Sequence, residues 1–241
     1  MITTAFLTNT GSRPVNEDAC GVFEQGGMTG AIVCDGLGGH GMGEVASELV
    51  KDVFGDRFAK MSDIKTFLPQ AFAAGQDVLM AEQAVRHAPS RMKTTAAALV
   101  IKGHRVFIAH IGDSRVYVFR KGRVKRRTID HSIPQMMVLS KELKESEIRH
   151  HPQRNIVLRV LGVPWEKNMT EEMKPFFLRK EMSFLLCSDG FWELCEEAEM
   201  EAYLAASATP QEWLMRMTEI IRKNGAGTDM DNYTAVAVWN R

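Results

Sequence analysis

The sequence predicts an α+β fold built around largely antiparallel β-sheet. Strand-like runs rich in β-branched and aromatic residues recur along the 241-residue chain and are separated mostly by turns. The stretch RVFIAHIGDSRVYVFRKGRVKRRT, residues 105–128, places three such runs in succession without room for crossover helices, which requires antiparallel pairing. The longest helical segments come as consecutive pairs. No low-complexity linker or internal repeat divides the chain, so we expect a single domain over residues 1–241.

The individual elements follow from these patterns. Strands are predicted at residues 2–8, 20–24, 30–34, 94–101, 105–110, 115–119, 174–179, 183–187 and 234–239, with one more in the basic run that follows residue 119. Helices are predicted at 43–59, 64–86, 134–141, 145–149, 196–206 and 210–223. Thr209 and Pro210 suit the N-cap and first-turn positions of the last helix. Residues 134–168 form a polar, helical insertion between strands.

The overall charge excludes some classes of partner. Thirty basic and thirty acidic residues give a formal net charge of zero, so no general field attracts nucleic acid or an anionic membrane. The four cysteines show no CxxC spacing and fit reduced thiols. The first residues lack a basic stretch followed by an apolar one, and no apolar run is long enough to span a bilayer. We expect a soluble, cytoplasmic, monomeric protein with no nucleic-acid partner and no membrane insertion.

A glycine-rich stretch, AIVCDGLGGHGMGEVASELV at residues 31–50, matches the dinucleotide-binding fingerprint G-x-G-x-x-G. A dinucleotide fold, however, needs a second parallel strand soon after the following helix. Here a second helix follows instead, and the next convincing strand begins only near Thr94. Asp35 would also point a negative charge at a pyrophosphate. A dinucleotide-dependent oxidoreductase is therefore a weak alternative.

Carboxylates recur at the ends of several predicted strands. They are Asp35 and Asp189, each followed by glycine, Asp113 in a turn between strands, Asp231 before the last strand, and Glu17 with Asp18 before the second. Each alone is explained by the turn preference of aspartate. Strand ends on one edge of a sandwich converge, however, and a cluster of carboxylates is tenable near neutral pH only with cations. Carboxylate, carbonyl and water oxygens form the ligand set that favours Mg²⁺ or Mn²⁺.

Eight motifs, in order, cover nearly the whole chain: SRPVNEDA, VCDGLGGHGMGEVAS, TTAAALV, IGDSRVYV, DHS, HPQRNIVLRVLG, LLCSDGFWE and DNYTAVAV. This set resembles the bacterial metal-dependent protein phosphatases of the protein phosphatase 2C type, which act on phosphoserine and phosphothreonine. The resemblance implies a four-layer αββα sandwich, in which two antiparallel sheets are flanked by pairs of helices. It also implies a binuclear Mn²⁺ or Mg²⁺ centre at one end, and it makes residues 134–168 a mobile flap.

Site residues are transferred from the resemblance position by position. Asp35 matches the carboxylate that bridges two metals, Gly36 the residue that lends its carbonyl, and Asp189 and Asp231 the remaining direct ligands. Asp113 matches a position that holds a third, weaker metal together with Asp189. Glu17 and Asp18 match the acidic pair that supports the centre, Glu17 through a water on the metal. Arg13 matches the phosphate-binding arginine, whose planar fork can grip two phosphate oxygens.

The expected chemistry needs no phosphoenzyme. A water held between two cations loses its proton readily and can attack phosphorus in line, while the metals neutralise the developing charge. Cys34 and Cys187 lie in apolar strands, where a thiol is usually inert. His40 lies where the bacterial pattern has a histidine, which leaves a role as an acid, a supporting role behind the ligands, or a simple turn role.

Other features have less specific interpretations. His131, His150 and His151 are expected to cap or stabilise loops. The run RKGRVKRR, residues 120–127, could attract phosphopeptides, although charges facing water on a strand–turn–strand segment explain it as well. The alternative from another class is a pseudophosphatase that only binds phosphoproteins; such a member usually lacks a metal aspartate, and none is missing here. The substrates are expected to be phosphoproteins of a serine/threonine kinase, and a secretion-system switch is one setting for such a chain.

Overall fold

The computed structural model describes residues 1–37, 41–88 and 91–241. Ten strands form two five-stranded antiparallel sheets in this part of the chain. The first sheet has the order β1-β10-β9-β6-β7 and the second the order β2-β3-β4-β5-β8. The strands are β1 (Ile2–Asn9), β2 (Asp18–Gln25), β3 (Met28–Asp35), β4 (Ala96–Lys102), β5 (Arg105–Ile111), β6 (Arg115–Arg120), β7 (Arg123–Arg127), β8 (Glu171–Phe177), β9 (Met182–Cys187) and β10 (Tyr233–Asn240).

The helices are α1 (Gly43–Phe58), α2 (Ile64–Val85), α3 (Ile133–Leu139), α4 (Asp189–Trp192), α5 (Glu197–Ala206) and α6 (Pro210–Asn224), with a 3₁₀ helix at Glu145–His150. Two pairs of helices, α1 with α2 and α5 with α6, lie on the outer faces of the sheets, and shorter helices lie in the connections. The Thr209 hydroxyl accepts a hydrogen bond from the Glu212 backbone N–H, and Pro210 occupies the first turn of α6. The predicted start of α6 is therefore confirmed.

Three apolar layers hold the sandwich together. One lies between α1, α2 and the second sheet, and includes Phe54, Phe72 and Val100. The middle layer lies between the sheets, where Val33, Val236 and other β-branched residues meet. The third layer packs α5 and α6 on the first sheet. The expected αββα sandwich is confirmed.

The structure departs from the sequence prediction in three places. The strand expected at residues 174–179 is β8, Glu171–Phe177, shifted toward the N-terminus. The short helix α4 at Asp189–Trp192 was not predicted, because its four residues carry no helical periodicity. In the insertion at residues 134–168, helix is confined to α3 and the 3₁₀ helix, and the chain is irregular after His150.

Candidate metal centre and active site

One end of the sandwich carries a cleft of about 430 Å³. Antiparallel pairing brings the end of β3 beside the start of β2 there, so that Asp35 is the register partner of Asp18. The end of β9 and the starts of β6 and β10 meet at the same edge. The cleft is lined by Arg13, Pro14, Val15, Glu17, Asp35, Gly36, Leu37, Asp113, Asn155, Val157, Asp189 and Asp231. Seven of the residues singled out from the sequence are thus brought together.

Asp35 and Gly36 are held by a dense set of backbone contacts. The Asp35 carbonyl accepts hydrogen bonds from the Thr95 N–H and the Thr94 hydroxyl, both at 2.9 Å. The Gly36 N–H donates to the Glu17 carbonyl at 3.0 Å. A Cβ on Gly36 would lie 2.3 Å from the Gly43 carbonyl oxygen, so this approach of three chain segments requires glycine.

Asp18 lies behind the cleft and supports the segment that carries Asp189. The Ser188 hydroxyl donates to Asp18 Oδ2 at 2.7 Å and accepts from the Thr234 N–H at 3.0 Å. Ser188 thereby joins the end of β9 and the start of β10 to the start of β2. Asp18 does not line the cleft itself, which makes it a supporting group.

Asp113 projects from the β5–β6 turn, which rests on a buried ion pair. Arg115, directly after the turn, contacts both carboxylate oxygens of Asp130 at 2.6–3.2 Å and stacks 3.4 Å from the centre of the Trp192 ring. The Trp192 indole N–H donates to the Asp113 carbonyl at 3.0 Å. Gly112 has a φ of 102°, which favours glycine. The carboxylate oxygen Oδ2 of Asp113 is buried without a hydrogen-bond partner among the described residues.

The loop between β1 and β2 is fastened to the segment before β10. The Asn232 amide donates to the carbonyls of Thr10 and Val15 and accepts from the Glu17 N–H at 2.7 Å. Arg13, at the rim, contacts Asp231 and Asp229, each at 3.3 Å. The arginine expected to bind phosphate therefore lies beside a predicted metal ligand, with 41% of its side chain exposed.

The carboxylates of the cleft perturb one another. Burial, reinforced by neighbouring carboxylates, raises the pKa of Asp18 and of Asp189 to about 7; for Asp189 the largest of these charges is that of Glu193. Burial and the charge of Asp189 raise the pKa values of Asp35 and Asp113 well above the usual range. Burial and the charge of Glu44 raise the pKa of Glu17. Some of these carboxylates therefore stay protonated at neutral pH unless a cation binds among them.

A separate group, His110, His131 and Glu171, has donor atoms within 4.8 Å of one another. The Gly112 N–H donates to His131 Nδ1 at 3.1 Å, so the proton of the neutral ring is on Nε2, which contacts Glu171 at 3.2 Å. A metal ligand nitrogen must carry no proton. This contact is therefore a hydrogen bond that fastens the β5–β6 turn, consistent with the expected structural role of His131.

Sequence reasoning missed four residues that shape the site. Asn155 and Val157 line the cleft from the irregular part of the insertion, and Asn232 and Arg115 hold loops that carry site residues. In the sequence, these residues could be noticed only as members of the motifs HPQRNIVLRVLG, DNYTAVAV and IGDSRVYV. Their side chains alone did not indicate a role in the site. His40 lies outside the described residues.

Comparison with known proteins shows the family to which the chain is similar. Residues 9–232 match the family Protein phosphatase 2C. The serine/threonine phosphatase stp of Listeria innocua is 32% identical, over 97% of this chain and 94% of that protein. The structure resembles Stp1 of Staphylococcus aureus with a TM-score of 0.91 and 29% identity, covering 100% of this chain and 96% of that one.

Two further solved structures bear on the site and its setting. The PstP catalytic domain in complex with two manganese ions has a TM-score of 0.82 and 26% identity, over 98% and 97% of the two chains. PppA, described as a key regulatory component of T6SS in Pseudomonas aeruginosa, has a TM-score of 0.81 and 28% identity, over 99% and 97%.

Fold, cleft and matches together place this chain in the protein phosphatase 2C family. The Listeria stp relatives match along 94% of their length and are named serine/threonine phosphatases. The chain is accordingly a serine/threonine protein phosphatase, a phosphoric monoester hydrolase. No helix in the described ranges combines the length and apolar character needed to cross a bilayer.

Proposed function

We propose that this phosphatase depends on two Mn²⁺ or Mg²⁺ ions held in the carboxylate cleft. The observation that carries the proposal is the convergence of Asp35, Asp189 and Asp231 with Glu17 and Asp113 around one space. The complex of PstP with two manganese ions supports the number and one of the metals. We extend the proposal to a third ion, bound more weakly, which Asp113 and Asp189 would hold.

The residues present fit such ions. The donors are carboxylate oxygens and the Gly36 carbonyl, which suit hard divalent cations and not zinc. The unpartnered buried oxygen of Asp113 and the raised pKa values of Asp35 and Asp189 are what a site for positive charge exhibits. With all the predicted carboxylates present, a pseudophosphatase is the weaker alternative.

Within this site each side chain has a task. Asp35 would bridge the two ions, and Asp189 and Asp231 would complete the ligand set with the Gly36 carbonyl. Asp18 would hold this set in place from behind, and Glu17, which lines the cleft, would support it through a water. When bound, the ions would supply a nucleophilic water at neutral pH and neutralise charge on the phosphoryl group.

Arg13 is proposed to bind the phosphoryl oxygens of the substrate. Its guanidinium lies at the rim of the cleft, where its two terminal nitrogens contact Asp229 and Asp231. A rotation of the side chain would allow the same two nitrogens to bind phosphate oxygens. Val15, Leu37 and Val157 also line the cleft and supply its apolar surface. His40 remains a candidate proton donor to the leaving group.

The protein substrates are proposed to be targets of a bacterial serine/threonine kinase in the cytoplasm. A regulatory role for a secretion system is supported by the likeness to PppA. Residues 134–168 are proposed to act as a flap that contacts residues flanking the phosphoamino acid, since Asn155 and Val157 reach the cleft from this segment. We expect the enzyme to act as a monomer.

The test is phosphate release from a phosphothreonine peptide in chelator and after addition of Mn²⁺ or Mg²⁺. We expect no turnover in chelator and recovery with metal. The variants Asp231→Asn and Asp35→Asn should be inactive yet folded, whereas Asp56→Asn, an exposed carboxylate on α1, should behave as wild type. Full turnover in excess chelator, or wild-type activity of either cleft variant, would contradict the proposal.

A further inference from the structure

A second charged groove lies on the open side of the sandwich. Strands β7 and β8 are the outermost strands of their sheets on this side, and a groove of about 470 Å³ runs between them. Its basic lining residues are Arg120, Lys125, Arg126 and Arg179, and none of its lining residues is acidic. In a chain with zero net charge, this is a marked local excess of positive charge.

The structure divides the basic run 120–127 into two sets. Arg123 contacts Glu201 at 2.6 Å, and Arg127 contacts Asp130 at 3.0 Å and also Glu145. These two arginines are neutralised by neighbours and hold loops. The groove cations, by contrast, form no ion pair with any described residue.

One groove cation has an unused donor in a buried position. The side-chain Nε of Arg120 is shielded from solvent and has no hydrogen-bond partner in the described parts of the chain. A buried N–H without an acceptor costs free energy, so an anionic ligand that reaches it would gain more than at an exposed charge. Because Arg120 lines the groove, a rotation of its side chain would turn this unsatisfied donor toward an anion bound there.

The groove also has an apolar surface. The Arg126 guanidinium lies 4.4 Å from the centre of the Phe176 ring. Beside the groove, Arg105 lies 4.9 Å from the centre of the Phe177 ring, which is 58% exposed. An adjoining hollow adds Lys65 and Lys102, again without an acidic lining residue. A glutamate side chain can pair its carboxylate with the groove cations and pack its methylene groups on the phenylalanine rings.

We propose that this groove binds an acidic stretch of the substrate polypeptide, away from the phosphorylated residue. The inference rests on the phosphatase activity but not on the metal proposal. Val118, the partner of Arg126 in the sheet, lies five residues beyond Asp113 along the chain, which corresponds to about 17 Å. An extended peptide needs at least about five residues to cover that distance. Preferred substrates thus carry their acidic stretch at a distance from the phosphoamino acid.

A polypeptide fits better than other anions of large size. The groove is recessed between two strands, so a flat anionic membrane would contact its rim and not the buried Arg120 nitrogen. The substrate of this enzyme is already a polypeptide held elsewhere on the same molecule. A second, weak contact on that chain gains from the high effective concentration that tethering provides.

The first test measures binding without catalysis. A fluorescein-labelled peptide of alternating Asp and Glu, without phosphate, is titrated with wild type and with Lys125→Gln/Arg126→Gln by fluorescence anisotropy. We expect the double variant to bind more weakly, by up to about 25-fold, because each of two exposed ion pairs contributes up to a factor of about five. Binding should weaken with salt. Lys60→Gln/Lys223→Gln, two exposed cations outside the groove, should bind as wild type.

The second test uses turnover of phosphothreonine peptides joined to the acidic tract by linkers of about two or about eight residues. Only the long linker should lower KM for wild type, and the groove variant should lose that gain while keeping its rate on a small aryl phosphate. Equal peptide binding by wild type and groove variant, or binding of oligothymidylate or anionic vesicles in preference to the acidic peptide, would overturn the proposal. Because the binding test needs neither metal nor turnover, failure of the metal proposal would leave its outcome interpretable.

Discussion

Raising the pH should destabilise the metal-free protein, because buried carboxyls of the cleft hold protons that the unfolded chain has lost. Burial raises the pKa of Asp18 and of Asp189 from 3.8 to about 7. A raised pKa in the folded state contributes stability that is fully present below the unfolded value and is lost as the pH rises through the folded value. For these two groups the loss extends from about pH 4 to above pH 7.

Two histidines act in the opposite direction at lower pH. Burial lowers the pKa of His110, and burial together with the charge of His110 lowers that of His131 to about 4. Their unfolded forms take up protons below about pH 6.5, so the folded state gains stability from them as the pH rises toward that value. Between pH 6.5 and 7.5 the two histidines still add up to about 0.7 kcal/mol of stability, because their unfolded forms are half protonated at pH 6.5. This offsets about half of the contribution of Asp18 and Asp189, so the carboxyls of the cleft still dominate.

The magnitude follows from proton occupancy. At pH 7 a carboxyl of pKa about 7 holds half a proton, which corresponds to about 0.7 kcal/mol per pH unit. Asp18 and Asp189 together should therefore lower the free energy of unfolding by about 1.4 kcal/mol between pH 6.5 and 7.5. Protons retained on Asp35 and Asp113, whose pKa values are raised well above the usual range, would steepen the loss.

The assay is urea unfolding at the two pH values, in chelator and in Mn²⁺. In Mn²⁺ the trend should reverse, because metal binding displaces the protons. Asp18→Asn keeps an oxygen acceptor for the Ser188 hydroxyl and should remove about 0.7 kcal/mol of the loss in chelator. Asp56→Asn should not change the loss. A free energy of unfolding in chelator that is constant or rises over this range would refute the reasoning.

Three further predictions concern single parts of the site. Arg13→Ala should lower kcat/KM about ten- to more than a hundredfold on both an aryl phosphate and a phosphothreonine peptide, because a lost charged contact costs about 1.5–3 kcal/mol. Arg13→Lys should restore only part of this loss. A change of kcat/KM within about twofold on both substrates would mean that Arg13 is a surface residue without a role in phosphate binding. Gly36→Ala should reduce metal affinity, measured by calorimetry, because its Cβ would lie 2.3 and 2.4 Å from two backbone oxygens; wild-type affinity would show that the loop can yield. Lys141→Ala or Lys144→Ala in the proposed flap should change relative rates among phosphopeptides more than the rate on an aryl phosphate, and equal changes on all substrates would place the segment elsewhere.

Much of the fold and of the cleft could be predicted because their signals are local. Strand ends marked by Asp35–Gly36 and Asp189–Gly190 are visible in the sequence, and antiparallel connection makes such ends converge. The N-cap at Thr209 is equally local. For these residues, a correct prediction of the strand and of the turn that follows it is almost enough to predict their position in the fold.

Other parts depend on contacts between distant segments. The Asn232 amide donates hydrogen bonds to the carbonyls of Thr10 and Val15, more than 200 residues away in the chain. No periodicity in the sequence indicates such a contact. Asn155 reaches the cleft from an irregular stretch. In the basic run, the register shifts between Val118 and Phe119, and the consecutive residues Lys125 and Arg126 both line the groove, although successive residues of a regular strand face opposite sides. The division of this run into two sets could not be predicted from charge alone.

The central claim is that the carboxylate cleft holds the metal ions on which the phosphatase depends. Calorimetric titration of the metal-free protein with Mn²⁺ at pH 7.5, run beside phosphate release from a phosphothreonine peptide in the same solutions, tests it most directly. We expect two ions per chain, as in the PstP complex, with turnover appearing as they bind, and loss of both signals in Asp35→Asn. Mn²⁺ binding by Asp35→Asn with wild-type stoichiometry, or turnover that precedes metal binding, would contradict the account.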